Sequence, residues 1–217
     1  DPVQQAIILS LKGDLYLRQN KKEDADQSYR AALGKNPNFM SVYHALARLY
    51  LSDQRADEAI KQYEAGLERN PKEKGFHMLI GTIYDLKKQP GESEKHYRAE
   101  IEINPESAPA LNNLAYLIID RGGSADEALG FAKRARELVP GDPRVMDTLG
   151  WAYYNKKFYD SAISEFNASL AKMPENATVL YHLGLALSAK EKRAEARDAF
   201  AKALEIDPSF DSLKILN

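Results

Sequence analysis

The side chains able to do chemistry are few in kind. Cysteine is absent, which removes thiolate nucleophiles, disulfides and thiolate zinc sites. The four histidines, His44, His77, His96 and His182, are read as falling in different structural units, and none makes the two-histidine spacing by which one helix holds a metal. No phosphate loop, dinucleotide fingerprint or nucleophile elbow is present. Acid–base pairs four residues apart, such as Asp57 and Lys61, are what a solvated helix face looks like. Arg48 and His44 lie one helical turn apart; together they would grip a carboxylate, although a solvated pair is the plainer reading. Asn167-Ala168-Ser169 and Asn176-Ala177-Thr178 match a glycosylation acceptor, the first of them inside a helical pattern. No catalytic residue, metal or cofactor is expected, and the chain is read as not an enzyme.

Charge narrows the partners. Thirty basic side chains against 32 acidic ones leave a formal charge of −2, with no block of one sign, whereas nucleic acid and anionic membrane surfaces need a concentrated cationic face. No apolar run approaches the roughly 20 residues that span a bilayer. An apolar content of 44% over 217 residues supports a continuous core. The compartment stays open, cytoplasmic or periplasmic. The start at Asp1-Pro2 without a signal segment reads as a mature or excised piece of a longer protein.

The elements that must position any site announce themselves by proline. Pro37, Pro71, Pro105, Pro140, Pro174 and Pro208 follow one another at intervals of 34, 34, 35, 34 and 34 residues, which marks a repeat architecture. The units run 6–39, 40–73, 74–107, 108–142, 143–176 and 177–210, the fourth with one extra residue. Their eighth position is small throughout (Gly13, Ala47, Gly81, Ala115, Gly150, Gly184) and their eleventh large (Tyr16, Tyr50, Tyr84, Ile118, Tyr153, Leu187). Small residues return at the twentieth position, and four residues later stand the rings Tyr29, Tyr63, Tyr97, Phe166 and Phe200, with Ala132 the exception. That spacing puts the small residue and the ring on one helix face.

Midway through each unit sits a turn signal: Gln19-Asn20, Asp53-Gln54, Gln89-Pro90-Gly91, Gly122-Gly123, Asn155-Lys156 and Lys190-Glu191. Each unit therefore predicts a helical hairpin whose second helix ends before its proline, because the residue preceding proline is driven out of the α region. Asp142-Pro143 is an N-cap followed by a favoured first-turn residue. His77 falls at a core position and is read as a buried neutral ring. Glu100 takes a position that is otherwise small, which predicts a looser or differently curved joint. Phe210, Leu213 and Leu216 at helical spacing begin a capping helix over 209–217.

Small at eight, aromatic at eleven, alanine at twenty, ring at twenty-four and proline at thirty-two resembles the tetratricopeptide repeat, over residues 6 to 210. The resemblance implies an all-α fold: one domain of six helix-turn-helix repeats forming a right-handed superhelical α-solenoid with a C-terminal capping helix. It places positions two, five, nine, twelve and thirteen of each first helix on a concave wall. The partner-binding candidates on that wall are Asn112, Tyr116, Arg144, Asp147, Trp151, Tyr154, Asn155 and Tyr181, with His44 and Arg48 nearer the start. Tyr116 and Tyr181 are expected partly exposed. Trp151 either packs on the next hairpin or faces a ligand.

The clamp by which some family members grip the acidic tail of heat-shock chaperones is missing, since its positions here hold Ser10, Asp14, Ala45, Gly75 and Leu79. The asparagine ladder of glycosyltransferase-linked arrays is also absent, with Asn113 alone at the sixth position. Leu149-Gly150-Trp151-Ala152-Tyr153-Tyr154 gives the later units a resemblance to bacterial arrays of envelope and polysaccharide export systems. The function implied is a scaffold that binds a protein, as a peptide or partner helix, in its groove. The alternatives are self-assembly into a homo-oligomer and an accessory domain of a larger protein.

Overall fold

The computed structural model describes residues 1–210, so the expected capping helix lies largely outside the described residues. Two compact units divide the chain, the first Asp1–Pro105 and the second starting at Glu106. The first unit holds α1 (Pro2–Arg18), α2 (Lys22–Lys35), α3 (Met40–Ser52), α4 (Ala56–Arg69), α5 (Phe76–Leu86) and α6 (Pro90–Ile103). The second holds α7 (Ala108–Asp120), α8 (Ala125–Leu138), α9 (Pro143–Asn155), α10 (Tyr159–Leu170), α11 (Ala177–Ala189) and α12 (Arg193–Ile206). Odd-numbered helices are the first helices of their hairpins, and no strand occurs among the described residues.

Every hairpin turns the same way. The residue at position fifteen has a left-handed backbone, with φ of 56° to 68° at Asn20, Gln54, Lys88, Gly122, Lys157 and Glu191. The next N–H then reaches back to the carbonyl at position eleven: Lys21 to Tyr16, Arg55 to Tyr50, Gln89 to Tyr84, Gly123 to Ile118, Phe158 to Tyr153 and Lys192 to Leu187, at 2.8–3.0 Å. This closure satisfies a carbonyl that the end of a helix would otherwise leave unpaired. In the third hairpin it moves the turn from the expected Gln89-Pro90-Gly91 to Lys87-Lys88-Gln89. Pro90 instead opens α6, where its missing N–H costs nothing.

The tightest packing in a hairpin sets a ring against a bare backbone. A Cβ built on Gly13, Gly81, Gly150 or Gly184 would stand 2.4–2.7 Å from a ring carbon of Tyr29, Tyr97, Phe166 or Phe200 respectively. Those rings are buried, so they have nowhere to retreat. The second and third hairpins are joined in the same manner: a Cβ on Gly66 of α4 would stand 2.5 Å from the Phe76 ring of α5, which lies edge-on to Tyr63 at 5.0 Å. Acid–lysine pairs link neighbouring hairpins at the surface, Asp57 with Lys87 in the first unit, and in the second Asp126 with Lys156 at 2.6 Å and Asp160 with Lys190 at 2.9 Å. Exposed as they are, each is worth no more than about 1 kcal/mol.

Two glycines separate packing from propensity. Gly150→Val is expected to lower the unfolding free energy by about 1–3 kcal/mol through overpacking against Phe166. Gly130 lies exposed within α8 with open space around it, and Gly130→Ala should raise stability by about 0.5–1 kcal/mol. Urea unfolding of both variants checks the pair, and a neutral Gly150→Val would mean the repeat register is wrong.

Candidate functional site

In the first unit the ring tyrosines reach through the core and occupy the polar groups of the first-helix wall. Tyr29 donates to Asp14 at 2.6 Å and Tyr97 to Asp85 at 2.5 Å, while Tyr63 meets His44 Nδ1 at 3.0 Å. Burial pushes the Tyr63 and Tyr97 phenols up to about 12 and Tyr29 higher still, the last helped by the hydrogen bond to Asp14. Burial, then the charge of Arg48, lowers His44. Tyr63 thus holds the His44 imidazole, and Arg48 stays exposed.

His77 and His96 belong to one hairpin, on α5 and α6, with their Nδ1 atoms 2.9 Å apart. This corrects the reading that assigned the histidines to separate units. The two rings share one proton, and it is His96 that is buried, while His77 is half-exposed. Burial and the neighbouring His77, then Lys95, hold His96 down at about 4. Glu100 on α6 is fully buried. Both its carboxylate oxygens accept from the Gly75 N–H, at 2.8 and 2.9 Å, so a negative charge caps the start of α5, where the helix dipole favours it. Among the described residues no three His, Asp or Glu side chains are grouped to hold a metal ion.

In the second unit the ring positions hold Phe166, Phe200 and Ala132, which carry no hydroxyl, and the wall organises itself differently. First helix α9 packs between first helices α7 and α11. His182 of α11, which the sequence did not single out as a binding residue, is buried and its Nδ1 meets Asp147 Oδ1 of α9 at 2.9 Å. A carboxylate only accepts, so the shared proton sits on Nδ1. The His182 ring stacks on the Trp151 indole at 4.3 Å and 14°, and Tyr154 stacks on the same indole at 5.0 Å and 4°. Tyr159 tilts against Tyr154 at 5.7 Å, while Tyr181 packs on Phe200 at 5.7 Å and Phe210 at 5.1 Å.

Of the wall candidates, Tyr116, Asp147, Trp151, Tyr154 and Tyr181 thus fall in one neighbourhood. Burial raises the Tyr116 phenol, with Asp120 and Asp147 adding to it; burial raises Tyr154 too, with Tyr159 and Tyr181 adding. Tyr116 is 39% exposed, in keeping with a surface ring. Trp151 packs on the next hairpin through His182 and is half-buried. Arg144 is diverted: its guanidinium forks onto Asp142 at 2.7 and 3.1 Å beside the N-terminus of α9. Asn155 ties its amide to the Trp151 carbonyl at 2.9 Å. Asn112 donates to Asn113 at 3.3 Å, and its own Oδ1 is buried without a hydrogen-bond partner. Contacts such as His182 with Asp147 join residues 35 apart on neighbouring helices, and no local pattern in the sequence marks them.

Repeat, turn and packing define a class, and comparison with known proteins agrees. The tetratricopeptide repeat model matches residues 10–60, 44–108 and 148–209. The chain belongs to the tetratricopeptide repeat family. It is 31% identical over 80 residues to the peroxisomal targeting signal receptor of Saccharomyces cerevisiae, a match covering 37% of this chain and 13% of the receptor. The chain thus spans well under a fifth of that relative's length. Among solved structures it resembles PilF of Pseudomonas aeruginosa (TM-score 0.77, 18% identity, 99% of this chain and 96% of that one). It also resembles YrrB, described as a TPR protein with an unusual peptide-binding site (TM-score 0.69, 23% identity, 84% and 93% covered). No helix among the described residues is long and apolar enough to cross a membrane.

The buried histidine makes stability depend on acid. His96 is held neutral in the fold, near 4 against 6.5 in a free chain, so its contribution is complete above pH 6.5 and lost as pH falls toward about 4. Urea midpoints measured between these limits should fall for the wild type and fall less for His96→Gln; equal slopes would show that the pair does not carry the effect.

Proposed function

We propose that this chain is a protein-interaction module, not an enzyme, whose first-helix wall after Glu106 receives an extended peptide or a helix of another protein. The observation that carries the reading is the ordered ring cluster of Trp151, Tyr154 and His182, fixed through Asp147, with Tyr116 and Tyr181 beside it. Rigid rings with polar neighbours are what recognition surfaces are built from, and a wall already ordered spares the complex the cost of ordering it. Family membership supports the reading, as do the targeting-signal receptor and the peptide-binding site named for the similar proteins. Tyr116→Ala and Trp151→Ala are expected to weaken capture of the native partner in pull-downs. Normal capture by both, with loss on changing outward-facing second-helix residues, would refute the wall.

Self-assembly is a second reading that one feature favours. Val3, Ile7, Ile8, Leu11 and Leu15 are 43–64% exposed along α1. At the positions of Ile8 and Leu15 the other hairpins bury their residues, Val42 and Leu49 among them. An apolar face of this kind marks an association surface. Light scattering over a concentration series is expected to give a mass that rises with concentration if α1 pairs with a second copy, and a constant monomer mass removes this reading.

A further inference from the structure

Resting on the proposed wall after Glu106, a census of its charge points to the chemistry of the guest. The three first helices α7, α9 and α11 carry two carboxylates that face no cation, Asp120 and Asp147, and a single cation, Arg144. Arg144 is neutralised by the fork onto Asp142. No lysine occurs on any of the three helices. Cations follow the three helices only as their C-caps, Arg121, Lys156 and Lys190; Lys156 and Lys190 are paired with Asp126 and Asp160, and Arg121 is next to Asp120 in the chain, where consecutive positions do not share a face.

Both carboxylates are open to a donor. Asp120 is exposed and has neither hydrogen bond nor ion pair among the described residues. Asp147, with its side chain 14% exposed, spends one oxygen, Oδ1, on His182; its Oδ2 has no partner among the described residues and is not fully buried. Asp120 lies one turn beyond Tyr116 on α7, which places its carboxylate on the same face as the ring. Both carboxylates act on the Tyr116 phenol, and no cation offsets them there. In the first unit Asp85 gives both oxygens to Ser93 and Tyr97 and Asp14 gives one to Tyr29, while the charge felt by His44 and Tyr63 is that of the cation Arg48.

We infer that the segment received by this wall is basic: a stretch of a partner protein whose lysine or arginine lies against the Tyr116 ring and is held by Asp120 and the free oxygen of Asp147. A cation over an aromatic face is attracted by the ring quadrupole, and two flanking carboxylates add charge-assisted hydrogen bonds. An acidic segment would meet two like charges and no compensating donor. Specificity of this kind comes from repulsion as much as from attraction.

The test is panning of a phage-displayed library of random peptides on the full chain, with parallel panning on the Tyr116→Ala variant. Peptides enriched on the wild type alone should carry a net positive charge. The strongest of them, made synthetically, should shift the fluorescence of Trp151, the only tryptophan. Its affinity is expected to fall by roughly five- to tenfold on Asp120→Asn, to fall further when its lysine or arginine is exchanged for glutamate, and to weaken with added salt. Asp120 is exposed, so that variant should keep the wild-type unfolding midpoint. If the enriched peptides are acidic or uncharged, or are indifferent to Asp120→Asn, the basic guest is refuted while the peptide-binding wall survives. If no peptide distinguishes wild type from Tyr116→Ala, the wall itself is refuted.

Discussion

A ring pressed onto a glycine backbone is the contact on which the rest of each hairpin depends. In four hairpins the approach is so close that even one methyl group would overlap the ring, which fixes how near the two helices lie. From that distance follow the length of the turn, the left-handed residue at its apex and the hydrogen bond that closes it. Propensity alone would not hold such helices: with 11 to 17 residues each, they are short to marginal for isolation in water, and most of their stability must come from packing.

The same contact decides what a wall can offer to a guest. Where the ring is tyrosine, its hydroxyl emerges on the far side of the first helix and claims the polar group there, as Asp14, His44 and Asp85 are claimed in the first unit. Where it is phenylalanine, no hydroxyl arrives. Asp147 is then free to orient His182, and His182 to support Trp151. A single oxygen atom in the core thus decides whether a polar group of the wall is held by a ring of its own hairpin or left to pair with the next first helix.

Much of this is legible in the amino-acid sequence, because steric period is a one-dimensional signal. The prolines, the small eighth position and the ring at twenty-four are enough to place the twelve helices of the described residues. The turn of the third hairpin is easily misplaced because Pro90-Gly91 looks like a turn, whereas the left-handed Lys88 has no compositional mark. Glu100 stands out as a large residue in a small slot, but only the fold reveals the Gly75 N–H that it caps. The pairing of His77 with His96 needs only a correct count of the repeat, since both fall between 74 and 107. The bond between His182 and Asp147 lies beyond such counting, because it depends on how far one first helix is rotated against the next.

That rotation also changes the part assigned to Trp151. An indole covered by His182 and by Tyr154 presents little of its face to a guest, and its backbone carbonyl is tied down by Asn155. In the proposed wall it is the floor that holds the surrounding rings in place, and Tyr116, with more than a third of its surface in solvent, is the ring left open to a guest. Removing the floor would cost both packing and recognition. Removing Tyr116 would cost mainly recognition, because Leu114 and Ile118 beside it already fill the core of α7. Stability and binding should therefore come apart at Tyr116 and stay coupled at Trp151, a distinction that follows from which face of each ring the neighbouring helix has taken.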